Sequence, residues 1–400
     1  MKITEVKVIV TCPGRNYVLV KIMTDEPGIY GVGDGTLSGS ELAVAADLEH
    51  LSQLIIGMDP SNIEDIWQKV YHCTYWRGGP VFMSALSAID LALWDIKGKV
   101  AGLPVYQLLG GQSRDDVWVY THAHGRDPQE VEEHVRSFHE KGFKFVRAQL
   151  TGGYGGYGGP GMLKRVPSGR EGIPDTDYFS PEKYLIETPK MFEHLRNALG
   201  MEVNLLHDVH EQLTPNEASR LAKSLEPYRL FYMEDPLRPE NKESFEMVRR
   251  SSTTSIAMGE LFTSRWDCLP LFMKQLIDFI RFAPIHIGGI TEAKKIMAMA
   301  EPFQIRSAFH GAADIGPIGQ AAAIHIDYAI PNFGVQEWIT FHPSTYEVMP
   351  GACQLEDGMV KLPQKPGLGL DIDEELAAKY PYQRAYMPIV RRVDGTYHVY

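Results

Sequence analysis

Apolar and polar residues alternate like strands at 2–10 and 17–24, and a glycine-rich stretch, Gly31-Val32-Gly33-Asp34-Gly35, follows as a turn-rich loop. Helical stretches come next near 40–56, 61–72 and 81–100. The third carries Leu86, Ile89, Leu93 and Ile96 at helical spacing, so one face is apolar, and Gly102-Leu103-Pro104 stops it. Residues 1–112 therefore read as a small α+β unit.

From Val117 the texture changes to short β runs separated by amphipathic helices. Strands are expected at 117–122, 143–150, 203–208, 230–235, 255–260, 279–283, 304–310 and 334–337, with helices such as 130–141, 183–199, 217–225 and 292–300 between them. This alternation, filling 113–344, predicts an α/β domain built on a parallel sheet, and eight strands favour closure into a (β/α) barrel. Periodicity alone leaves a doubly wound open sheet as the rival. The connection 151–179 holds the run GGYGGYGGPG and no convincing helix. So long a loop reads as a mobile lid over a site in preference to a disordered insert, and its glycines form no phosphate-binding fingerprint because no helix follows promptly. Residues 345–400 are rich in turns, with Pro366-Gly367-Leu368-Gly369, and are expected to pack back onto the first unit.

Composition narrows the class. The 400 residues are 44% hydrophobic and 22% charged, as in an ordinary soluble globular protein, and a net charge of −12 argues against a nucleic-acid surface. No apolar run approaches the ~18 residues a membrane helix needs, and the N-terminus lacks the basic region and cleavage site of a signal peptide. Cys12, Cys73, Cys268 and Cys353 lie far apart without CxxC pairing, which suits reduced thiols in the cytoplasm.

Three expected strands end in acids 26 residues apart (208, 234, 260): Asp208 in NLLHD, Glu234 in FYMED and Glu260 in IAMGE. One strand-plus-helix repeat separates each from the next, so a barrel would set the three carboxylates side by side at its C-terminal mouth. A single acid of this kind more often caps a helix; three at equal spacing point to a shared role. Adjacent anions in a low-dielectric site repel strongly, and a bound cation resolves this; few, hard oxygen ligands favour Mg²⁺. His210 stands two residues after Asp208, so strand alternation would point both side chains to the same interior.

The run ALSAIDLALWDIKGKVAGLPVYQLLGG resembles the helix and turn that lead into the barrel in the muconate-lactonising and mandelate-racemase branch of the enolase superfamily. The Asp-Pro after Glu234 and the run Ile287-Gly288-Gly289-Ile290-Thr291 are also similar, and the resemblance spans nearly the whole chain. It implies a modified TIM barrel, (β/α)₇β, with an α+β capping domain, and Asp208, Glu234 and Glu260 as Mg²⁺ ligands. It also implies removal of the proton α to a carboxylate and stabilisation of the resulting enediolate by the metal.

Many relatives carry Lys-x-Lys on the second barrel strand, whereas this strand reads Arg147-Ala148-Gln149. Arginine stays protonated and cannot act as a base, but it can depress the pKa of a nearby tyrosine. Arginine on this strand with a tyrosine from the following loop resembles the mannonate dehydratase group. Tyr157 falls about where that tyrosine stands, and Tyr154 competes with it. The same resemblance makes His210 the acid for the departing 3-hydroxyl and places His310 of FHGAAD against the substrate. The usual acidic partner of that histidine is replaced by Ala283, which disfavours a racemase-type His–Asp base. Matching substrate contacts are Ser38, His122, Arg281, Asp314 and Glu337, alongside Asp208, His210, Glu260 and His310; Ser38 stands where better-known members carry asparagine, and its reach is shorter. Tyr75-Trp76-Arg77 reads either as a wall of the site or as a subunit contact.

The implied activity is conversion of D-mannonate, or D-gluconate, to 2-keto-3-deoxy-D-gluconate and water by a cytoplasmic homo-oligomer (tetramer or octamer) that engages neither nucleic acid nor membrane. The rivals are a starvation-sensing or regulatory homologue with little catalysis and a dehydratase of another sugar acid.

Overall fold

In the computed structural model, which describes residues 1–150, 162–361 and 363–398, the first alternating runs are β1 (Ile3–Thr11) and β2 (Tyr17–Thr24), paired antiparallel from Thr11↔Tyr17 to Ile3↔Thr24. The stretch expected as a turn-rich loop is instead a third strand, β3 (Tyr30–Asp34), antiparallel to β2. Three helices cover this sheet: α1 (Glu41–Ile55), α2 (Ile63–Tyr71) and α3 (Pro80–Ala101). The glycines of β3 serve close packing on α3. A Cβ on Gly31 would lie 1.9 Å from the Ala92 carbonyl oxygen, and one on Gly33 would lie 2.0 Å from that of Ala88. Turn composition and tight strand–helix contact share a residue type, so the sequence pattern misread them. Because rigid backbone cannot yield, Gly33→Ala should destabilise the protein by roughly 1–3 kcal/mol or more, read as a melting temperature lowered by several degrees. The apolar face expected on α3 is present: Leu86, Ile89, Leu93 and Ile96 are all buried, and the helix ends at Gly102 in left-handed geometry (φ 67°).

A short helix, α4 (Val105–Leu108), leads into the second domain. There β4 (Val117–Gly125), α5 (Pro128–Glu140) and β5 (Phe145–Leu150) are followed by a hairpin, β6 (Met162–Val166) and β7 (Thr176–Phe179), and by α6 (Pro181–Leu199). The repeat then runs β8 (Asn204–Asp208), α7 (Pro215–Leu225), β9 (Tyr232–Glu234), α8 (Phe245–Ser251), β10 (Ile256–Met258), α9 (Arg265–Met273), β11 (Phe279–Ile280), α10 (Gly289–Ala300), β12 (Arg306–Ser307), α11 (Pro317–Ala329) and β13 (Gln336–Glu337). Helix α7 opens with a capping box, in which Thr214 and Glu217 satisfy each other's backbone N–H groups.

Strands β4, β5, β8, β9, β10, β11 and β12 pair in parallel in that order, and β13 pairs in parallel with β4. Backbone bonds from Ser307 N to Asn332 O (2.8 Å) and from Val335 N to Ser307 O (3.2 Å) join the two ends of the ladder. Inside the ring, Tyr120, Leu206, Tyr232, Ala257, Phe279, Ala308 and Val335 pack into a small core. A larger core lies between strands and helices, and a third belongs to the capping domain. Among the described residues, no helix is long and apolar enough to cross a membrane.

Past α12 (Pro343–Val348), a hairpin of β14 (Leu355–Glu356) and β15 (Met359–Val360) extends β4 antiparallel. Residues around α13 (Glu374–Ala377) fasten to the capping sheet: Thr11 Oγ1 donates to Ala377 O at 2.8 Å, and Lys7 Nζ pairs with Glu374 at 2.9 Å. The last strands, β16 (Ile389–Arg392) and β17 (Tyr397–His398), go elsewhere. Strand β16 lies parallel to β7, so β6, β7, β16 and β17 form a four-stranded sheet. The connection 151–179, expected to hold no helix, carries two strands at 162–166 and 176–179 that the sequence reading did not mark, and the second is completed by a partner some two hundred residues away. The GGYGGYGGPG run lies outside the described residues.

Candidate active site

Each of the eight strands delivers one chemistry-bearing side chain to the C-terminal mouth of the ring. They are His122 from β4, Arg147 from β5, Asp208 from β8, Glu234 from β9, Glu260 just past β10, Arg281 just past β11, His310 past β12 and Glu337 from β13. The register aligns neighbours, with His122 opposite Arg147 and Asp208 opposite Glu234. At Gly259 the backbone turns through φ 132°, which only glycine adopts readily, and this carries Glu260 into the site.

Two buried guanidiniums organise the acids. Arg147 Nη1 donates to Glu234 Oε1 (2.7 Å), Asp208 Oδ2 (3.1 Å) and Glu337 Oε1 (3.5 Å), while Nη2 meets His122 Nδ1 at 3.1 Å. Arg281 Nε donates to Asp235 Oδ2 (3.0 Å), and Nη2 donates to Glu260 Oε2 (3.1 Å) and Glu337 Oε2 (3.3 Å). Arg281 Nη1 donates to the Tyr120 hydroxyl, which in turn donates to Glu234 Oε2 at 3.2 Å. His122 Nε2 lies 2.8 Å from Glu337 Oε1, which fixes the last acid of the ring against the first strand.

His310 is held on both ring nitrogens. Nδ1 faces Glu337 (3.1 Å) and Glu260 (3.2 Å), and Nε2 faces Asp314 (3.0 Å). Burial opposes its protonation, but Asp314, Glu260 and Glu337 together outweigh this and hold the imidazolium well above the usual histidine range. Asp314 falls correspondingly to about 2, since His310 overcomes the cost of burial. Ala283 stands where the acid of a racemase-type His–Asp base would be, and His310 pairs instead with Asp314, four residues along the same loop. For His122, burial and then Arg147 depress the pKa.

His210 reaches the site differently from the expectation. Strand β8 ends at Asp208, and His210 and Glu211 follow in left-handed conformations (φ 52° and 61°), so strand alternation does not apply. A turn brings His210 Nε2 to 3.6 Å from Glu260 Oε1, and its backbone N–H donates to Asp208 Oδ1 at 2.7 Å. Ser38 stands outside the ring on the capping domain, where its hydroxyl accepts from Arg15 Nη2 at 3.0 Å. Tyr157 and its competitor Tyr154 lie outside the described residues.

Negative charge is in excess. Burial, then repulsion from Glu234, raises Asp208 well above the carboxylate range despite Arg147. Burial and Glu260 push Asp235 up to about 8, and burial with Asp235 and Glu260 pushes Glu211 up to about 10. The Glu211 Oε1 atom is buried without a hydrogen-bond partner among the described residues. In this arrangement the arginines stand among the acids, and no three of the described acids and histidines converge as a closed ligand shell. The chemistry of Asp208, Glu234 and Glu260 still fits Mg²⁺: three hard oxygen donors on consecutive strands, mutually repelling, leave a need for positive charge that two arginines do not meet.

Four residues of this neighbourhood were not singled out from the sequence. Tyr120 shares the inward face of β4 with His122, two positions on, so alternation could have found it. Asp235 follows Glu234 directly and was noted only as part of a motif. Glu211 and Arg15 carried no pattern.

Most of the chain matches known protein families. Residues 5–110 match the mandelate racemase / muconate lactonizing enzyme N-terminal domain, and residues 130–376 match the enolase C-terminal domain-like family. A D-mannonate dehydratase of Sphingomonas sp. (strain SKA58) is 47% identical over 405 residues, spanning 99% of this chain and 98% of that one. The D-galactonate dehydratase family member RspA of Cellvibrio japonicus is 49% identical and covers 99% of both chains. The solved structure of an enolase from Pantoea ananatis with bound D-gluconate and Mg is 46% identical, with a TM-score of 0.93 over 99% of both chains.

Proposed function

The chain belongs to the mandelate racemase / muconate lactonizing enzyme family of the enolase superfamily, and from that premise we propose that it is a Mg²⁺-dependent sugar-acid dehydratase. Its substrate is D-mannonate first and D-gluconate second, and its products are 2-keto-3-deoxy-D-gluconate and water. The observation that carries this reading is the ring of one functional side chain per strand, with Asp208, Glu234 and Glu260 on three consecutive strands. Full-length relatives named D-mannonate dehydratase support the first substrate, and the similar structure with bound D-gluconate and Mg supports the second and the ion.

Asp208, Glu234 and Glu260 would hold Mg²⁺, which when bound draws charge from the substrate carboxylate and so acidifies the proton at C2. Tyr157, from the segment after β5, takes that proton, and the fixed positive charge of Arg147 favours its phenolate. His122, Asp208, Glu234 and Glu337 hold that guanidinium in place. His210 gives a proton to the C3 hydroxyl, the C3–O bond breaks with its electron pair going to oxygen, and water leaves. The C2–H electron pair becomes the C2–C3 double bond, and the enol then takes a proton at C3 to give the 2-keto product. His310, kept protonated by three carboxylates, places positive charge against the substrate's oxygens. We assign the protein to the cytoplasm as a homo-oligomer; the four cysteines, none in a disulfide, support that compartment.

Steady-state turnover on a panel of sugar acids tests the reading. D-mannonate or D-gluconate should be dehydrated fastest, and turnover of none of them would leave a sensor. For the base, Tyr157→Phe should slow exchange of the substrate C2 proton with solvent deuterium by at least ~10²-fold, with Tyr154→Phe much less affected. The reverse ranking moves the role to Tyr154.

A further inference from the structure

Arg15 lies between β1 and β2, in a loop pinned from several sides. Thr345 Oγ1 donates to Pro13 O, Cys12 N donates to Tyr380 O at 2.8 Å, and Asn16 Nδ2 donates to Gln383 O at 2.6 Å. Its Nη2 donates to Ser38 Oγ, so the guanidinium stands where two loops of the capping domain meet. A second contact sets this corner against the barrel: Asp34 Oδ2 accepts from Gly316 N at 2.8 Å, two residues after Asp314. The positive charge of Arg15 also acts on Asp314, favouring its carboxylate. Arg15, Ser38 and Asp314 therefore gather at the seam between the capping domain and the mouth of the ring, beside His310.

One feature of this seam calls for a ligand. The Arg15 Nε–H is buried and finds no acceptor among the described residues, an arrangement that is costly unless a bound molecule supplies one.

We propose that Arg15 determines specificity in the sugar-acid site: with Asp314 it binds the hydroxyls at the end of the substrate remote from the reacting carboxylate, and it selects a mono-acid with a polyol tail over a di-acid. This rests on the sugar-acid reading above. A hydroxyl both donates and accepts, and the seam offers one partner of each kind, a guanidinium and a carboxylate. A second carboxylate in the same place would meet Arg15 but also Asp314, and beyond His310 the acids Glu260 and Glu337, so it is repelled.

The test is calorimetric binding in the presence of Mg²⁺ by wild type, Arg15→Met and Arg15→Lys. The ligands are D-gluconate, a four-carbon sugar acid lacking the distal hydroxyls, and the six-carbon di-acid D-glucarate. Arg15→Met should weaken D-gluconate about 10- to 100-fold and leave the four-carbon acid within about twofold, with Arg15→Lys recovering part of the loss. In turnover the loss should fall on KM more than on kcat, because the reacting carbons are untouched. Wild type should bind D-glucarate at least about tenfold more weakly than D-gluconate. Equal losses on the long and short acids would mean that Arg15 supports the fold only, and an unchanged affinity for D-gluconate, or a preference for D-glucarate, would likewise overturn the proposal. Binding without turnover by wild type would refute the dehydratase reading while the same comparisons still decide the role of Arg15; binding of none of the acids would overturn both.

Discussion

Asp208→Asn or Glu234→Gln should abolish Mg²⁺ binding in the micromolar-to-millimolar range, and dehydration with it. Each removes one of three charged ligands from a site where Mg²⁺ must be drawn out of a tightly held hydration shell. The two variants should differ in stability, because their surroundings differ. Asp208 is raised by burial and by repulsion from Glu234 and Glu260, so a neutral amide relieves strain at neutral pH, and Asp208→Asn should melt at or above the wild-type temperature. Glu234 sits between two buried arginines, 2.7 Å from Arg147 Nη1 and 3.6 Å from Arg281 Nη1. Removing its charge costs Arg147 its shortest carboxylate contact, the other two standing at 3.1 and 3.5 Å, so Glu234→Gln should melt lower than Asp208→Asn. Calorimetry for the metal and thermal denaturation for the fold check both statements. An unchanged Mg²⁺ affinity in either variant removes that residue from the metal site.

The three acids proposed to hold the metal were legible as a set because barrel geometry repeats. A strand and a helix together consume a nearly constant length, so acids 26 residues apart return to the same rim of the ring (208, 234, 260). The eight strands were legible for a related reason: each run is short, apolar and followed by a helical period. Features set by long-range contact were not. Glycines that admit a helix backbone read like glycines of a turn, as Gly31 and Gly33 do. Strand β7 takes its parallel partner from Ile389–Arg392, and no local pattern announces a pairing over such a distance.

The histidines show the same limit at the scale of one residue. His210 was found through its nearness to Asp208, yet the argument from alternation fails, because two successive left-handed residues replace the strand there. Asp314 was marked as a substrate contact, while its bond to His310 depends on a loop that doubles back within four residues. Arg15 acquires meaning only once the capping domain is folded against the barrel.

The second large effect belongs to His210, and it tests the central claim that two different groups serve the two bonds broken in the reaction. If Tyr157 takes the C2 proton and His210 protonates the leaving hydroxyl, His210→Asn should stop dehydration while metal and sugar acid still bind. Loss of a general acid costs roughly 10²–10⁴-fold, so elimination should fall by at least two orders of magnitude. The fold should tolerate the change. The His210 contact to Asp208 is made by its backbone N–H, which asparagine retains. The decisive measurement is NMR of one reaction in deuterated water, wild type beside His210→Asn, following deuterium at C2 and the appearance of the keto acid together. Product is expected from the wild type, and from the variant continued incorporation of deuterium at C2 without product. Loss of exchange and elimination together would contradict it, because one bifunctional group would then serve both bonds.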